Sequence, residues 1–301
     1  MNKIYVSGCS GFVGKNLIAF LNQKEIACIS RNLLENNSFK DFQGGEAIIH
    51  LAGKAHDLNK VSDPNEYYHV NYELTKKLYD SFLKSDVKKF IFISSVKAVA
   101  DSVKVPLLEN DEPNPTTDYG KSKLMAERYI QSQPLPNNKS YYILRPCMIH
   151  GSGNKGNLNL LYQFVKKGIP YPLASFENAR SFLSIENLCF VILNLLNKKV
   201  VSGIYNIADD EPLSTNEVVK ILANSLNKNP KLYHIPSGIV YTFAKVGDIL
   251  GLKLNTHTLT KLTESYIVNN TKIKEALNLS LPVTTKEGLL LTARSFRNPS
   301  F

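Results

Sequence analysis

The chain predicts an α/β fold, a doubly wound parallel sheet with a smaller C-terminal lobe, and three observations support it. A β-branched and aromatic run opens the sequence and breaks into three glycines, Gly8, Gly11 and Gly14. Strand-like and helix-like patterns then alternate as far as Pro146. Beyond Pro146 the texture changes to a Gly/Asn-rich stretch followed mainly by helical patterns. In order, the first strand is followed by helical spacing at Phe12, Val13, Leu17, Ile18 and Leu21. Further strands are predicted at 26–30, 47–51, 89–95 and 141–145, with helices at 64–84 and 119–131 between them. The segment 31–45 is short, polar and rich in Asn, so a turn or loop is expected there rather than a full helix. In the second half, helices are predicted at 158–167, 185–196, 215–225 and 237–250, and a strand at 203–208 returns to the main sheet. The expected division is 1–150 and 151–301, with a returning segment around 185–208.

At 301 residues, 43% hydrophobic and 21% charged, the composition is that of a globular protein with a sizeable core. No apolar run approaches the roughly 20 residues that span a bilayer. The first apolar stretch is interrupted by Ser7 and Gly8 and reads as a strand rather than a signal peptide, so a cytoplasmic location is expected. Cys9, Cys28, Cys147 and Cys189 are scattered without a Cys-x-x-Cys pair and read as reduced thiols. No His/Cys/Asp cluster has metal-ligand spacing. The net charge of +10 is compatible with nucleic acid, with small polyanions such as a nucleotide cofactor and a diphosphate substrate, or with anionic lipid. No run of five basic residues occurs, and nucleic acid is not expected as a partner.

A glycine turn between strand and helix lets the backbone approach a pyrophosphate, and the helix N-terminus offers unpaired N–H donors. Gly8, Ser10, Gly11, Phe12, Val13 and Gly14 are therefore the expected dinucleotide cradle. The strand 89–95 ends in Ser94-Ser95, at the edge of a parallel sheet where ligands bind. Tyr119 and Lys123 lie one helical turn apart. A free tyrosine, with a pKa near ~10, is a poor base at neutral pH, but a neighbouring ammonium and a positive nicotinamide favour its phenolate. Tyr119, Lys123 and Ser95 are thus suited to proton transfer at a sugar or alcohol oxygen. An acidic residue closing the second strand would bind the ribose of NAD, and here Arg31 stands there, suited to the 2′-phosphate of NADP. NADP is expected, with NAD the alternative. His50 closes a buried strand and reads as structural, whereas His56 and Asp57 lie in the following loop within possible reach of a substrate.

These residues resemble the extended short-chain dehydrogenase/reductases, the nucleotide-sugar epimerase, dehydratase and reductase family. The resemblance covers nearly the whole chain: Gly8-Cys-Ser-Gly-Phe-Val-Gly14, Ile49-His-Leu-Ala-Gly53, Val70-Asn71, Ser94-Ser95, Tyr119-x-x-x-Lys123, Arg145-Pro146 and Arg180-Ser-Phe-Leu-Ser-Ile-Glu-Asn-Leu188. It implies a Rossmann domain and a C-terminal substrate lobe, Tyr119 as acid/base, Lys123 on the nicotinamide ribose and Ser95 on the sugar oxygen. Leu51, Ala52, Gly53, Ser94 and Pro146 would line the cofactor. Asn157 and Arg180 would meet the substrate diphosphate, and Tyr266 would border the sugar. Dehydratases of the family follow the hydroxyl residue with a carboxylate; Val96 and Lys97 stand here, which argues against dehydration. Lys97 is either a solvated loop lysine or a contact to a substrate or cofactor phosphate. Met148 replaces an Asn common after Arg-Pro, and an arginine common upstream of 262–270 is missing.

Family epimerases recycle a held NAD, and net reductases commonly consume NADPH. The pattern is most similar to bacterial surface-polysaccharide enzymes that reduce a UDP-4-keto-6-deoxy-N-acetylhexosamine. The alternative is a 4-epimerase of a UDP-sugar or a polyprenyl-diphosphate sugar. A more remote one is an NADP(H)-binding module without turnover, which the presence of both Tyr119 and Lys123 disfavours. Members of the family often pair through the helices matching 64–84 and 119–131, so a homodimer is one arrangement open to this chain.

Overall fold

A computed structural model describes residues 3–32, 42–54, 63–154, 156–252 and 255–297. Among them the chain runs β1 (Lys3–Ser7), α1 (Phe12–Gln23), β2 (Cys28–Arg31), β3 (Gly45–His50), α2 (Pro64–Tyr68), α3 (Leu74–Lys84), β4 (Lys89–Ile93) and α4 (Asp118–Ser132). It continues with β5 (Ser140–Pro146), β6 (Met148–His150), α5 (Asn157–Lys166), β7 (Phe182–Ser184), α6 (Ile185–Asn197) and β8 (Gly203–Ile207). The last elements are α7 (Thr215–Ser225), α8 (Ser237–Leu250), α9 (Thr256–Thr263), α10 (Thr271–Leu277) and α11 (Thr285–Arg297).

Six strands form one sheet in the order β2-β1-β3-β4-β5-β8, every pair parallel. Parallel strands need crossovers, and these cover both faces, which is why Ile4 and Val6 pack on one side while Tyr5 packs on the other. On the first side α1 and α6 lie together over Leu17, Leu21, Leu188 and Ile192. On the second, α3 and α4 cover Phe82, Phe90, Phe92 and Ile130. β2 lies on one side of β1 and β3 on the other, so a crevice opens at the carboxyl ends of β1 and β3. β8 closes the far edge, pairing Leu144 with Tyr205.

A second core gathers Leu158, Tyr162, Leu213, Leu222, Leu259 and Leu289 from α5, α7, α9 and α11 and the segments between them. A short parallel sheet of β6 and β7 joins this lobe to the main body.

The helix expected across 64–84 is interrupted by a π-helical turn, His69–Glu73, between α2 and α3. A π turn admits an extra residue and reorients the side chains around it. Residues 33–41, the greater part of the segment 31–45 where a turn or loop was expected, lie outside the described residues. Just past them Phe42 packs edge-on against Tyr5, with centroids 5.0 Å apart. Helices α9 to α11 were not anticipated. The sequence of α9 is rich in threonine and buries Leu259, and α11 buries Gly288, Thr285 and Thr292 beside Leu289 and Ala293, so few large apolar residues mark either buried face. No helix among the described residues is long and apolar enough to cross a membrane.

Candidate active site

The glycine loop turns sharply at Gly8, whose φ is +77°. A Cβ there would lie 2.6 Å from the Ala52 amide nitrogen, so only glycine lets β1 and the segment after β3 come this close. Gly11 donates its N–H to Gly8 O at 3.1 Å and forms the N-cap of α1 without any side-chain cap. A Cβ on Gly11 would meet only Gly8 O within 4 Å, so the outer face of the loop is bare beside the uncapped N–H groups of α1. That cradle fits the pyrophosphate of a dinucleotide. Arg31, at the end of β2, is in register with Ser7 and lies over the rings of Tyr5 and Phe42, at 5.1 and 5.5 Å.

Behind the cradle runs a buried chain of hydrogen bonds. Ser7 Oγ is 2.7 Å from His50 Nδ1, and His50 Nε2 is 2.8 Å from Thr75 Oγ1. The Thr75 hydroxyl donates its proton to Asn71 O, so it accepts from Nε2–H, and Nδ1 accepts from Ser7. Burial, with the Lys123 charge adding to it, lowers the His50 pKa to about 3, and the imidazole is neutral. This geometry agrees with a structural His50. Asn71, on the π turn, accepts from Lys54 N at 2.8 Å and donates to Lys54 O and to Ser122 Oγ. It thereby ties the segment Leu51–Ala52–Gly53 to α4.

Helix α4 starts because Thr117 caps it, accepting from Gly120 N at 3.2 Å, and Asp118 occupies the first turn. Its inner face carries Tyr119, Lys123 and Glu127 at successive turns. Tyr119 is hydrogen-bonded to Ser95. Ser95 also caps the 3₁₀ turn Val96–Ala98 by accepting from Lys97 N at 3.2 Å. Lys123 Nζ donates to Ile93 O at 2.9 Å and stands 2.9 Å from where a Cβ on Gly53 would be. It thus lies at the carboxyl ends of β3 and β4, where a nicotinamide ribose could receive its donors.

Burial lowers the Lys123 pKa to about 8, against the opposing pull of Glu127. Burial raises the Tyr119 phenol above its ordinary value, the Ser95 hydrogen bond partly offsets this, and Tyr67 raises it further. An ammonium-depressed tyrosine was expected. In the protein alone desolvation wins, because a phenolate in this site would lose more hydration than the Ser95 hydrogen bond restores.

Ser94, expected to line the cofactor, turns its hydroxyl inward and donates to the Glu127 carboxylate. Arg145 clamps the same carboxylate through Nε, 3.1 Å from each oxygen, and Nη2, 2.6 Å from Oε2. Both residues are fully buried. Glu127 was missed by the sequence reading, although its place four residues after Lys123 was a signal. Pro146 closes β5, buried beside this network.

Lys97 is half-buried near Arg180 and Lys261. Its ammonium donates to Asp101 O at 2.6 Å and sits 4.4 Å from the Tyr266 ring centroid. Tyr266 in turn donates to Ala100 O at 2.7 Å, and its backbone bridges to Arg180. Arg180 Nε donates to Glu264 O at 3.0 Å, with the Glu264 carboxylate 3.8 Å from Nη2. Arg180 and Asn157 both line a largely apolar cavity of ≈ 480 Å³, together with Met148, Phe164, Phe182 and Lys261. Lys261 was not anticipated; it supplies a cation close to where the arginine was missing. His56 and Asp57 lie outside the described residues.

The model of the NAD dependent epimerase/dehydratase family matches residues 4–208, from β1 to the end of the main sheet. The chain belongs to this family of enzymes. The UDP-glucose 4-epimerase of Vibrio cholerae is 30% identical over 317 aligned positions, covering 97% of this chain and 95% of that protein. The N-acetyl-alpha-D-glucosaminyl-diphospho-ditrans,octacis-undecaprenol 4-epimerase of Escherichia coli O157:H7 is 28% identical, covering 91% of this chain and 85% of that protein. The solved structure of RMD from Pseudomonas aeruginosa in complex with NADPH shares the fold, with a TM-score of 0.76 at 20% identity over 98% of this chain and 99% of that one. A nicotinamide cofactor accords with the family and with the bare glycine cradle.

Proposed function

We propose that this family member reduces the 4-keto group of a UDP-4-keto-6-deoxy-N-acetylhexosamine with NADPH. The observation that carries this reading is Arg31 closing β2, where a 2′-phosphate would lie, together with the Tyr119 phenol hydrogen-bonded to Ser95 beyond the end of β4. Reduction of a ketone needs a group that gives a proton to the nascent alkoxide, whereas oxidation of an alcohol needs one that takes it. Bound NADPH would supply hydride to C4, and its uncharged nicotinamide leaves the neutral phenol favoured. Ser95 would hold the C4 oxygen, and Tyr119 would pass its proton to that oxygen. Lys123, whose pKa of about 8 keeps it mostly charged at neutral pH, would hold the ribose hydroxyls. Arg31 at the end of β2 supports NADP over NAD, because a guanidinium pairs with a 2′-phosphate. Asn157, Arg180 and Lys261 would receive the diphosphate beside the apolar cavity.

A second reading is a 4-epimerase acting on a UDP-sugar or a polyprenyl-diphosphate sugar. It is favoured by the activities of the Vibrio and Escherichia relatives. There Tyr119 would act first as base and then as acid on the same oxygen. One assay separates the two: UDP-4-keto-6-deoxy-GlcNAc is supplied with NADPH, and UDP-GlcNAc separately without added cofactor. NADPH oxidation coupled to loss of the ketone is expected. Cofactor-independent interconversion of gluco and galacto sugars would overturn the reductase reading.

A further inference from the structure

α8 attaches to its lobe through Val240, Ala244 and Gly247, a face of small residues. Next to that face Ile239, Phe243, Val246 and Leu250 recur at intervals of four, three and four, forming one stripe along the helix. All four are exposed, at 48, 66, 43 and 64%. Ile249 and Leu252, also exposed, extend the apolar surface past the helix end at Gly251. Single exposed hydrophobics are ordinary, but a stripe of large ones on one helix marks a surface that something covers.

The charge of the stretch of sequence that carries α8 indicates what that is. Between residues 228 and 260 the sequence holds Lys228, Lys231, Lys245 and Lys253 against one acid, Asp248. The Asp248 carboxylate is engaged by the N-terminus of α9, accepting from Thr256 N at 3.1 Å. Lys228, Lys231 and Lys245 are exposed. A second copy of this chain would bring the same lysines, and a net charge of +10, against themselves. An anionic lipid surface offers an apolar layer for the stripe and negative headgroups for the lysines.

We propose that α8 is a membrane-surface helix, docking the C-terminal lobe on an anionic bilayer with Ile239, Phe243, Val246 and Leu250 in the interfacial layer. α9, packed against α8, carries Lys261 and Leu262 to the cavity, so docking would hold the cavity beside the lipid surface. The inference is independent of which reaction the site performs.

The chain contains no tryptophan, so Phe243→Trp makes a single-site reporter. The full chain is floated with vesicles of phosphatidylethanolamine and phosphatidylglycerol, and with phosphatidylcholine alone. The expected result is flotation with the anionic vesicles only, reversed by high salt, and a Phe243→Trp emission that shifts blue and is quenched by brominated acyl chains. The double variant Phe243→Glu/Leu250→Glu should lose roughly tenfold or more of vesicle binding while turnover of a water-soluble substrate, which also reports folding, stays unchanged. Absence of flotation overturns the proposal, as does flotation with an unshifted, unquenched tryptophan. So does a dimer in sedimentation velocity that the double variant returns to monomer, since the stripe would then be covered by a second copy.

Discussion

α4 and α8 have 15 and 14 residues, yet they join the protein by different chemistry. The inner face of α4 reaches the sheet with Tyr119, Lys123 and Glu127, long polar side chains whose burial requires partners already in place. Those partners come from β4, the turn that follows it and β5: Ile93 O, Ser94, Ser95 and Arg145. α8 rests on Val240, Ala244 and Gly247, which need no partners, and turns its large apolar residues outward. The first helix is held by a network in which each group depends on the next. The second is held by close approach, and its outer face is left for another surface.

The comparison would break most visibly at Tyr119. Tyr119→Phe should lower turnover by about 10³-fold while leaving cofactor binding intact, measured as NADPH oxidation against NADPH fluorescence titration. A loss of cofactor binding to the same degree would remove Tyr119 from proton transfer. Next is the network itself. Glu127→Gln leaves Arg145 buried without its counter-charge and should cost about 3 kcal/mol, read from the urea midpoint. A change below a fraction of that would mean that water or Glu109 replaces the lost carboxylate.

His50 sharpens the polar side further through pH. Its folded pKa of about 3 lies below the unfolded value near ~6.5, so the unfolded chain binds the extra proton first. The stability held by neutral His50 is therefore present above pH ~6.5 and is lost as pH falls toward 3. Between pH 7 and pH 5 the wild type should lose about 2 kcal/mol more than a His50→Gln variant, by urea unfolding at each pH. Equal slopes would show the imidazole charged or exposed. Arg31→Glu should reverse cofactor preference, lowering kcat/KM for NADPH relative to NADH by roughly tenfold. The smallest effect belongs to α8. Phe243→Ser should change stability by no more than about 0.5 kcal/mol in the absence of lipid, because the ring is largely exposed.

Much of the polar side was legible in the order and spacing of residues. Gly8, Gly11 and Gly14 follow a strand and open a helix, and Tyr119 and Lys123 share a helix face by spacing alone. What was not legible is where each polar group finds its partner. Ser94 was expected beside the cofactor, and the bond of its hydroxyl to Glu127 carried no signal in the sequence. Lys97 was expected in solvent or on a phosphate, and its contact with Tyr266, 169 positions along the chain, carried no signal in the sequence. The second half was read less completely, since threonines and a glycine take places on the buried faces of α9 and α11 where large apolar residues would have signalled a helix.

The amino-acid sequence by itself determined the alternation of strands and helices, the glycine turn and the Tyr119–Lys123 pair. These depend on residues a few positions apart, and backbone geometry acts at that range. Only the tertiary structure decided that Asn71 clasps Lys54, that Glu127 and Arg145 stand behind the reaction site, and that α8 buries its small face rather than its large one. Those outcomes depend on which distant surfaces meet, and on how much desolvation each buried charge recovers from the partner brought to it.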